Sequence, residues 1–338
     1  MPKPVRLGII GCGKIATVAH VPGYQALRDA NIVSLLDIKP RQMDTIRAAC
    51  NFDAQGFTDF DAFVASGLDA VSICTPNCFH YPQTMACLKA GLHVLSEKPM
   101  AATPAETTRM IAAAKKAGKV LQINQSLRYH PLYQKIADLV AQGEIGEPIH
   151  VRCLRSGGST PDKGWSPGAT WFVSKKFQGG VVLDIAVHMA DLMKWVAGDV
   201  RQICAYTDTR IKGIDVTDNA TALMRFANGA TGVLELSWST PCGGGLFEVY
   251  GTTGTIRAGF SGERPIELIK PGAAGKGPKV TYPKPKAKVK ESFECFIAAI
   301  RGKAPSPTPG ELGRDAIALC DAIARSGASG RFVNVPQF

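Results

Sequence analysis

The sequence predicts an N-terminal α/β domain with a parallel sheet, followed by an α+β domain whose sheet is mostly antiparallel. A chain of 338 residues is longer than one typical hydrophobic core and favours two domains. Its first third alternates apolar strand patterns with helical ones, which indicates a parallel sheet covered on both faces. Beyond residue 124 the strand patterns follow one another closely, so we expect domains over 1–123 and 124–338.

Strands of the first domain are predicted from short apolar runs bounded by turn residues. These runs are Val5–Ile10, Ile32–Leu36, Ala70–Cys74, Leu92–Ser96 and Lys119–Ile123. Helices are expected from about Pro82 to Gly91 and from about Pro104 to Ala117, each with proline in its first turn. The segment after the first strand carries Pro22 and Gly23 near its middle and predicts a short or broken helix.

Closely spaced strand-like runs, separated by short turns, predict the antiparallel sheet of the second domain. They are Ile149–Arg155, Gln202–Thr207, Ala220–Phe226, Thr231–Trp238, Leu246–Tyr250 and Thr255–Ala258. One helix is expected from about Val182 to Val196, and another over about 312–326 near the end of the chain. This last helix is compatible with packing back on the first domain.

Composition argues against several classes of protein. No apolar run approaches the ~20 residues of a membrane-spanning helix, and the first strand begins too early for a signal peptide. The ten cysteines are scattered, with Cys74 and Cys78 as the only close pair, so we expect reduced thiols and no bound metal. These features favour a cytoplasmic protein without a membrane segment.

A net charge of +11 raises the question of nucleic-acid binding. The excess is concentrated in 271–290, a stretch rich in proline and glycine that carries six lysines and predicts an exposed loop. Tyr282 is its only aromatic residue, which leaves no platform for stacking bases. We therefore expect no nucleic-acid partner, although a basic surface would still attract anionic substrates.

A glycine-rich turn, Gly11-Cys12-Gly13-Lys14-Ile15-Ala16, connects the first strand to the helix that follows it. This context is typical of a dinucleotide-binding turn. Gly11 permits the tight turn, Gly13 lets the backbone approach a pyrophosphate, and Ala16 is small enough for close packing of helix on strand. The free amides at the start of the helix, including those of Lys14 and Ile15, would face the phosphates.

An acidic residue, Asp37, ends the second predicted strand, 21 residues after Ala16. At this place a carboxylate would bind the hydroxyls of the adenosine ribose and would repel the 2′-phosphate of NADP. We therefore expect NAD as the cofactor. Two alternatives stay open: Lys39 and Arg41 could accommodate that phosphate, and Asp37 could merely start a turn before Pro40.

Two clusters carry residues suited to proton transfer. Glu97-Lys98-Pro99 directly follows a predicted strand, at the end of a parallel sheet where ligands gather. Asp184 and His188 are four residues apart in a helix whose other residues are nearly all apolar, so both side chains can face one ligand. The tripeptide is also compatible with an exposed turn, and Asp184 and His188 with a capping residue and a core residue. A metal site has weak support, because no third ligand lies nearby in sequence.

Four motifs in this order resemble the glucose–fructose oxidoreductase/inositol dehydrogenase family over nearly the whole chain. They are residues 8–16, Asp69–Asn77 with His80, Glu97-Lys98-Pro99, and Asp184-x-x-x-His188, and the closing Ala299-Ile300-Arg301 with Pro305 also fits. The resemblance implies a Rossmann domain, then a domain with an open, mostly antiparallel sheet that often forms the oligomer interface. We accordingly expect a homodimer or homotetramer. Ala186 stands where many relatives carry glycine before the histidine.

The resemblance also implies roles for individual residues. His188 would exchange a proton with the reacting hydroxyl, Lys98 would hydrogen-bond the same oxygen, and Asp184 would orient a neighbouring hydroxyl. The residues expected at the cofactor are Gly11, Gly13, Lys14, Ile15, Asp37, Arg41, Thr75, Pro76, Asn77, His80, Glu97 and Lys98. Within that set, Glu97 would reach the nicotinamide ribose. Asn124 and Arg128 are expected contacts of the substrate or the nicotinamide.

The implied activity is hydride transfer between nicotinamide and a secondary alcohol or ketone of a sugar, cyclitol or related polyol. Two other functions stay open. An NAD-using glycosidase on a similar scaffold would oxidise its substrate transiently and give no net NADH. A sugar-sensing regulator of the same fold would have no need to retain Lys98, Asp184 and His188.

Overall fold

The computed structural model describes residues 3–259 and 265–338 of the chain. The chain divides into two units, each built around a sheet of its own. The first unit comprises Met1–Ser126 and Lys290–Arg314, and the second comprises Leu127–Val289 and Asp315–Phe338. The boundary expected between residues 123 and 124 stays a prediction.

Parallel strands form the six-stranded sheet of the first unit. They are β1 (Val5–Ile10), β2 (Ala30–Leu36), β3 (Gln55–Phe57), β4 (Ala70–Ile73), β5 (His93–Glu97) and β6 (Leu121–Asn124). Their order across the sheet is β3-β2-β1-β4-β5-β6, so the direction of winding reverses beside β1. In sheets of this kind the crevice at the carboxyl ends of the strands, beside that reversal, is where ligands bind.

Helices connect these strands and bury their apolar sides against them. They are α1 (Val21–Gln25), α2 (Pro40–Cys50), α3 (Phe60–Val64), α4 (His80–Lys89) and α5 (Pro104–Ala117). The start of α5 shows how local sequence defines an end: the Thr103 hydroxyl accepts the Glu106 amide, and the Glu106 carboxylate accepts the Thr103 amide. This reciprocal cap satisfies two amides that have no partner inside the helix.

The helix after the glycine turn corrects the prediction of a short or broken helix. A π-helical segment, Ala16–His20, leads directly into α1, and the Val21 amide donates to the Ala16 carbonyl five residues back. This wider turn accommodates Pro22, which has no amide hydrogen to donate, without ending the helix. Gly23 has a packing role, because a Cβ there would lie 2.1 Å from the ring of Phe293.

The sheet of the second unit has nine strands within the described residues. They are β7 (Pro148–Ser156), β8 (Val200–Asp208), β9 (Asn219–Phe226), β10 (Thr231–Ser237), β11 (Gly245–Gly251), β12 (Thr255–Gly259), β13 (Ile266–Lys270), β14 (Lys279–Thr281) and β15 (Val333–Asn334). Their order is β14-β13-β12-β11-β7-β10-β9-β8-β15, and β7 and β10 are the parallel pair in an otherwise antiparallel sheet. Buried and exposed residues alternate along β9 and β10, so one face of the sheet is covered and the other is open.

Helices of the second unit include α6 (Pro131–Ala141) and α7 (Val187–Ala197), and α7 packs on β7 and β10. A π-helical segment, Val182–Ala186, runs straight into α7. Later in the chain come α8 (Ser292–Ile300) and α9 (Gly310–Ser329). No helix in the described parts of the chain has the length and apolar character needed to cross a bilayer.

The predicted fold class is confirmed, with a parallel α/β sheet followed by a mostly antiparallel one. The strands β3, β13, β14 and β15 were not predicted, and three of them, β3, β14 and β15, are edge strands of two or three residues, which carry little periodic signal. One of them corrects an expectation: Lys279–Thr281 lies inside the lysine-rich stretch predicted to be a loop, yet it pairs with β13. Its three side chains are nevertheless exposed, as expected.

Candidate active site

The glycine turn after β1 has the geometry that its sequence requires. Gly11 has a φ of 87°, and a Cβ there would lie 2.9 Å from the Cys74 carbonyl carbon and from the Thr75 side chain. A Cβ on Gly13 would meet nothing within 4 Å, so this side of the turn is open. The Thr17 amide donates to the Gly13 carbonyl at 3.1 Å, and the amides that precede it at the start of a helix lie too early to have an acceptor within the helix. This arrangement suits a pyrophosphate.

Asp37 lies beside that turn. Its two carboxylate oxygens each accept a backbone amide at 2.9 Å, one from Cys12 and the other from Lys39. Each carboxylate oxygen can accept further hydrogen bonds, so the carboxylate is fixed in place but still able to bind hydroxyls. The neighbouring Ile38 is 85% exposed and offers an apolar surface, whereas Arg41 is an exposed residue of α2.

The segment after β4 contains Thr75, Pro76 and Asn77, and it leads through a short 3₁₀ turn into α4. Thr75 and Pro76 are half-buried, and Asn77 is buried. His80, the first residue of α4, is 1% exposed, and both ring nitrogens face backbone carbonyls. The ring therefore contacts the main chain, and its expected place at the cofactor stays a prediction.

A buried carboxylate, Glu97, lies at the end of β5. One of its oxygens lies 2.8 Å from Nε2 of His20 and accepts a hydrogen bond of 2.6 Å from Nδ2 of Asn124. Burial raises the pKa of Glu97, but the bonds from His20 and Asn124 and the nearby charge of Lys98 outweigh it and hold the pKa below its ordinary value. Glu97 is therefore ionised at neutral pH, directly before Lys98.

His20 is a site residue that was missed from the sequence. It lies in the π-helical segment after the glycine turn, and its side chain is fully buried. Its Nδ1 has no hydrogen-bond partner among the described residues, so His20 makes its contact with Glu97 through Nε2. A histidine four residues after Ala16, directly between the apolar pairs Val18-Ala19 and Val21-Pro22, was the signal that could have indicated a buried polar contact.

In the second unit, Asp184 and His188 occupy consecutive turns of one continuous helix. Asp184 lies in the π-helical segment, and His188 is the second residue of α7. They are 8% and 9% exposed among apolar neighbours. Gly179 and Gly180 start this helix: a Cβ on Gly179 would lie 2.1 Å from the Phe172 carbonyl oxygen, and Gly180 has a φ of 106°. π-Helical turns are frequent at functional sites.

Arg128 is held by an ion pair rather than projecting freely. Its guanidinium donates two hydrogen bonds of 2.8 Å to Asp191, one from Nε and one from Nη2. It also lies over the ring of Trp195, 4.7 Å from the centroid. Burial raises the pKa of Asp191 above its ordinary value, although the bonds to Arg128 lower it. Because Asp191 is one turn beyond His188, this pair anchors the helix that carries the histidine.

The predicted site residues thus fall into two groups. Gly11, Asp37, Thr75, Glu97 and Asn124 lie at the carboxyl ends of parallel strands in the first unit, and Lys98 follows β5 there. Asp184 and His188 share one helix of the second unit, and Arg128 is bonded to it. Within the described residues no group of three or more His, Cys, Asp or Glu side chains is placed to hold a metal ion.

Two family models match this chain. One, described as an oxidoreductase family with an NAD-binding Rossmann fold, matches residues 5–125. The other, described as the GFO/IDH/MocA C-terminal domain, matches residues 133–257. The chain belongs to this family. It is therefore an oxidoreductase whose N-terminal domain is of the NAD-binding Rossmann type, as expected from the motifs.

Full-length relatives have related activities. The chain is 26% identical to myo-inositol 2-dehydrogenase of Thermotoga maritima over 98% of its own length and 99% of the relative's. It is 28% identical to 1,5-anhydro-D-fructose reductase of Ensifer adhaerens, with 98% of each covered. Among solved structures, the WlbA dehydrogenase of Bordetella pertussis in complex with NADH and UDP-GlcNAcA is 27% identical, with a TM-score of 0.85. That match covers 99% of this chain and 100% of the other.

The residues of the first unit fit an NAD molecule. The open side of Gly13 leaves space where a side chain would otherwise block a pyrophosphate. The oriented carboxylate of Asp37 is a suitable acceptor for ribose hydroxyls. The second carboxylate oxygen of Glu97, Oε2, accepts a long hydrogen bond of 3.3 Å from the Lys98 amide. This oxygen can accept a further hydrogen bond from a ribose hydroxyl.

Removing one member of the Arg128–Asp191 pair is expected to destabilise the second unit. Arg128→Met leaves a buried carboxylate without its partner, which costs about 3–5 kcal/mol of unfolding free energy. Urea denaturation measures the loss, and the double variant Arg128→Met/Asp191→Leu should recover most of it. A single variant as stable as the wild type would show that the pair contributes nothing to stability, and a double variant no more stable than the single one would show that the unpaired carboxylate is not the cause of the loss.

The pKa of Glu97 predicts a pH dependence of stability. A carboxyl whose pKa is depressed by folding stabilises the protein above the unfolded value of 4.5, and that contribution disappears as pH falls through the folded pKa. Glu97→Gln removes the titrating group. The difference in unfolding free energy between wild type and variant should therefore shrink between about pH 6 and about pH 3. A constant difference over this range would contradict the assigned pKa shift.

Proposed function

We propose that this protein is an NAD-dependent dehydrogenase or reductase acting on a secondary alcohol or ketone of a sugar, cyclitol or related polyol. The carrying observation is that one chain combines an NAD-binding domain with a nearly buried Asp184–His188 pair on one helix. The names of the full-length relatives, an inositol dehydrogenase and an anhydrofructose reductase, support this substrate class.

In the proposed mechanism, His188 removes the proton from the reacting hydroxyl in the oxidative direction and returns it in reduction. An imidazole has an ordinary pKa of ~6.5 and is suited to both tasks near neutral pH. The Lys98 ammonium donates a hydrogen bond to the same oxygen and stabilises the negative charge that develops on it. Asp184 accepts a hydrogen bond from a neighbouring hydroxyl and so orients the ring of the substrate. The nicotinamide, when bound, supplies the hydride donor or acceptor.

The proposed cofactor contacts follow the carboxyl ends of the parallel strands. The amides of Lys14 and Ile15 bind the pyrophosphate beside Gly11 and Gly13, and Asp37 binds the adenosine ribose. Ile38 offers an apolar surface for the adenine, with the exposed Arg41 beyond it. The remaining contacts come from Thr75, Pro76, Asn77, Glu97 and Lys98, whereas both ring nitrogens of His80 face backbone carbonyls. Asn124 acts chiefly by orienting Glu97, to which it donates a hydrogen bond of 2.6 Å.

We further propose that the open sheet face of the second unit forms a homodimer or homotetramer interface. Along β8 and β9 it exposes Tyr206 (69%) and Leu223 (51%), and large apolar side chains at such levels are frequent in protein interfaces. All ten cysteines are free thiols, which supports residence in a reducing compartment such as the cytoplasm.

A substrate screen tests the proposed activity. The purified protein is incubated with NAD and a panel of sugars and inositols, and absorbance at the reduced-nicotinamide band is followed. At least one neutral polyol should give sustained net formation of NADH. Product formation without net NADH would instead support the glycosidase, and no reaction with neutral, anionic or nucleotide-linked sugars would contradict the proposed enzyme class.

Loss of either Lys98 or His188 should abolish turnover with little change in cofactor affinity. Lys98→Ala and His188→Ala are each expected to lower kcat by about 10²–10⁴-fold, because the transition state loses acid–base or electrostatic assistance. Lys89→Ala, at an exposed lysine of α4, is the matched control. NADH fluorescence titration should show that both variants still bind cofactor. A variant with near wild-type kcat would disprove its assigned role.

Asp37 should determine the choice between NAD and NADP. In the wild type kcat/KM is expected to favour NAD, since the carboxylate repels a 2′-phosphate. Asp37→Asn keeps the size of the side chain but removes its charge, and it should reduce this preference by about tenfold. A wild-type preference for NADP would contradict the proposed role of Asp37.

A charge placed on the open sheet face should weaken the oligomer. Leu223→Asp is expected to lower the mass measured by light scattering toward that of a monomer. The free energy needed to bury an unpaired carboxylate in the interface is larger than the free energy gained from the remaining contacts. Ile38→Asp is the control, since Ile38 is an exposed apolar residue of the first unit. An unchanged mass for Leu223→Asp, or a monomeric wild type, would refute this interface.

A further inference from the structure

His80 occupies an unusual position between two backbone carbonyls. Its Nε2 lies 2.8 Å from the carbonyl oxygen of Thr75, and its Nδ1 lies 2.7 Å from that of Pro99. Residue 75 belongs to the segment after β4, and residue 99 follows the lysine after β5. One side chain therefore bridges two segments at the carboxyl edge of the sheet.

Each bridged segment connects to a different part of the proposed site. On one side, Thr75 and Cys74 lie against the glycine turn, close enough that a Cβ on Gly11 would clash with both residues. The Cys74 amide also donates to the Ile10 carbonyl at 2.7 Å. On the other side, Pro99 is joined directly to Lys98. The ring of His80 thus links the glycine turn, through Thr75, to the residue that follows the lysine.

The imidazole has little capacity left for a ligand. The residue is 1% exposed, and each ring nitrogen already faces an oxygen at hydrogen-bond distance. A neutral ring donates to one of these carbonyls and an imidazolium donates to both. Burial lowers the pKa of His80, although the two carbonyls and Glu97 raise it. The amide of asparagine or glutamine carries both of its hydrogens on one nitrogen, and its other polar atom is an acceptor that cannot bond a carbonyl.

We propose that His80 is a positioning residue, which holds the Lys98 segment in register with the segment after β4 by lying between the carbonyls of Thr75 and Pro99 and donating a hydrogen bond to one of them. This inference rests on the proposed function in so far as Lys98 acts on the substrate. In this role His80 does not contact the cofactor itself and acts through the position of Lys98. The expected consequence of losing the bridge is a mobile Lys98 segment in a protein that still folds.

Hydrogen exchange measured by mass spectrometry tests the bridge without any substrate. In His80→Asn, the backbone amides of Lys98 and of Met100–Ala102 should exchange about tenfold faster than in wild type, because opening of this segment no longer requires breaking a hydrogen bond to His80. His93→Asn is the matched control, because the His93 ring accepts the Val120 amide at 3.0 Å at the start of β5. Its loss should accelerate exchange near residue 120 and leave 98–102 unchanged.

A second measurement separates positioning from cofactor binding. With NADH alone, His80→Asn should bind within about threefold of wild type, since no direct contact is lost. With a polyol identified by the substrate screen, kcat should fall about tenfold while KM for NAD changes little. His93→Asn should keep its kcat.

The outcomes decide between the alternatives. Unchanged exchange at 98–102 in His80→Asn, or equal acceleration by both variants, would overturn the bridge. A large loss of NADH affinity in His80→Asn would show a direct cofactor contact instead, and an unchanged kcat would refute the positioning role. If no polyol reacts with the wild type, the proposed function fails, while the exchange data still decide whether His80 bridges the two segments.

Discussion

The hydrogen bonds to the buried carboxylate of Glu97 are the interaction on which the first unit's site depends. A carboxylate away from water is stable only when its oxygens are matched by donors, and His20 and Asn124 supply them. His20 comes from the helix after the glycine turn, whereas Asn124 ends β6. The carboxylate of Glu97 therefore connects the end of β5 to the helix after the glycine turn and to the end of β6. Lys98 is the next residue in the chain.

The second unit also contains a buried carboxylate with matched donors, and here it lies on a helix. Asp184 and His188 lie on nearly buried turns of one helix, and Arg128 holds that helix through Asp191 and Trp195. The guanidinium–carboxylate pair has two parallel bonds, a geometry that resists rotation of the helix more than a single bond would. In both units a buried carboxylate with hydrogen-bond partners lies next to a residue proposed to act on the substrate.

Features with a local cause could be predicted from the sequence. Periodicity predicted the strand β1, which the structure contains. Glycine geometry predicted the tight turn that begins at Gly11, and Gly11 has the positive φ that such a turn requires. Asp37 was noticed because it directly follows the second predicted strand. The partners of His20, His80 and Arg128 could not be predicted, because each contact joins residues whose proximity only the fold creates. The helix through Pro22 was mispredicted for a related reason, since a π-helical turn depends on packing as well as on the proline.

The central claim is that NAD binds along the carboxyl ends of β1, β2, β4 and β5, with its reactive ring near Lys98. A crystal structure of the NADH complex tests it most directly. The account predicts the pyrophosphate on the amides after Gly11, the adenosine ribose on Asp37 and the nicotinamide next to Lys98. A dinucleotide bound elsewhere, or with its adenosine end at Lys98, would contradict it.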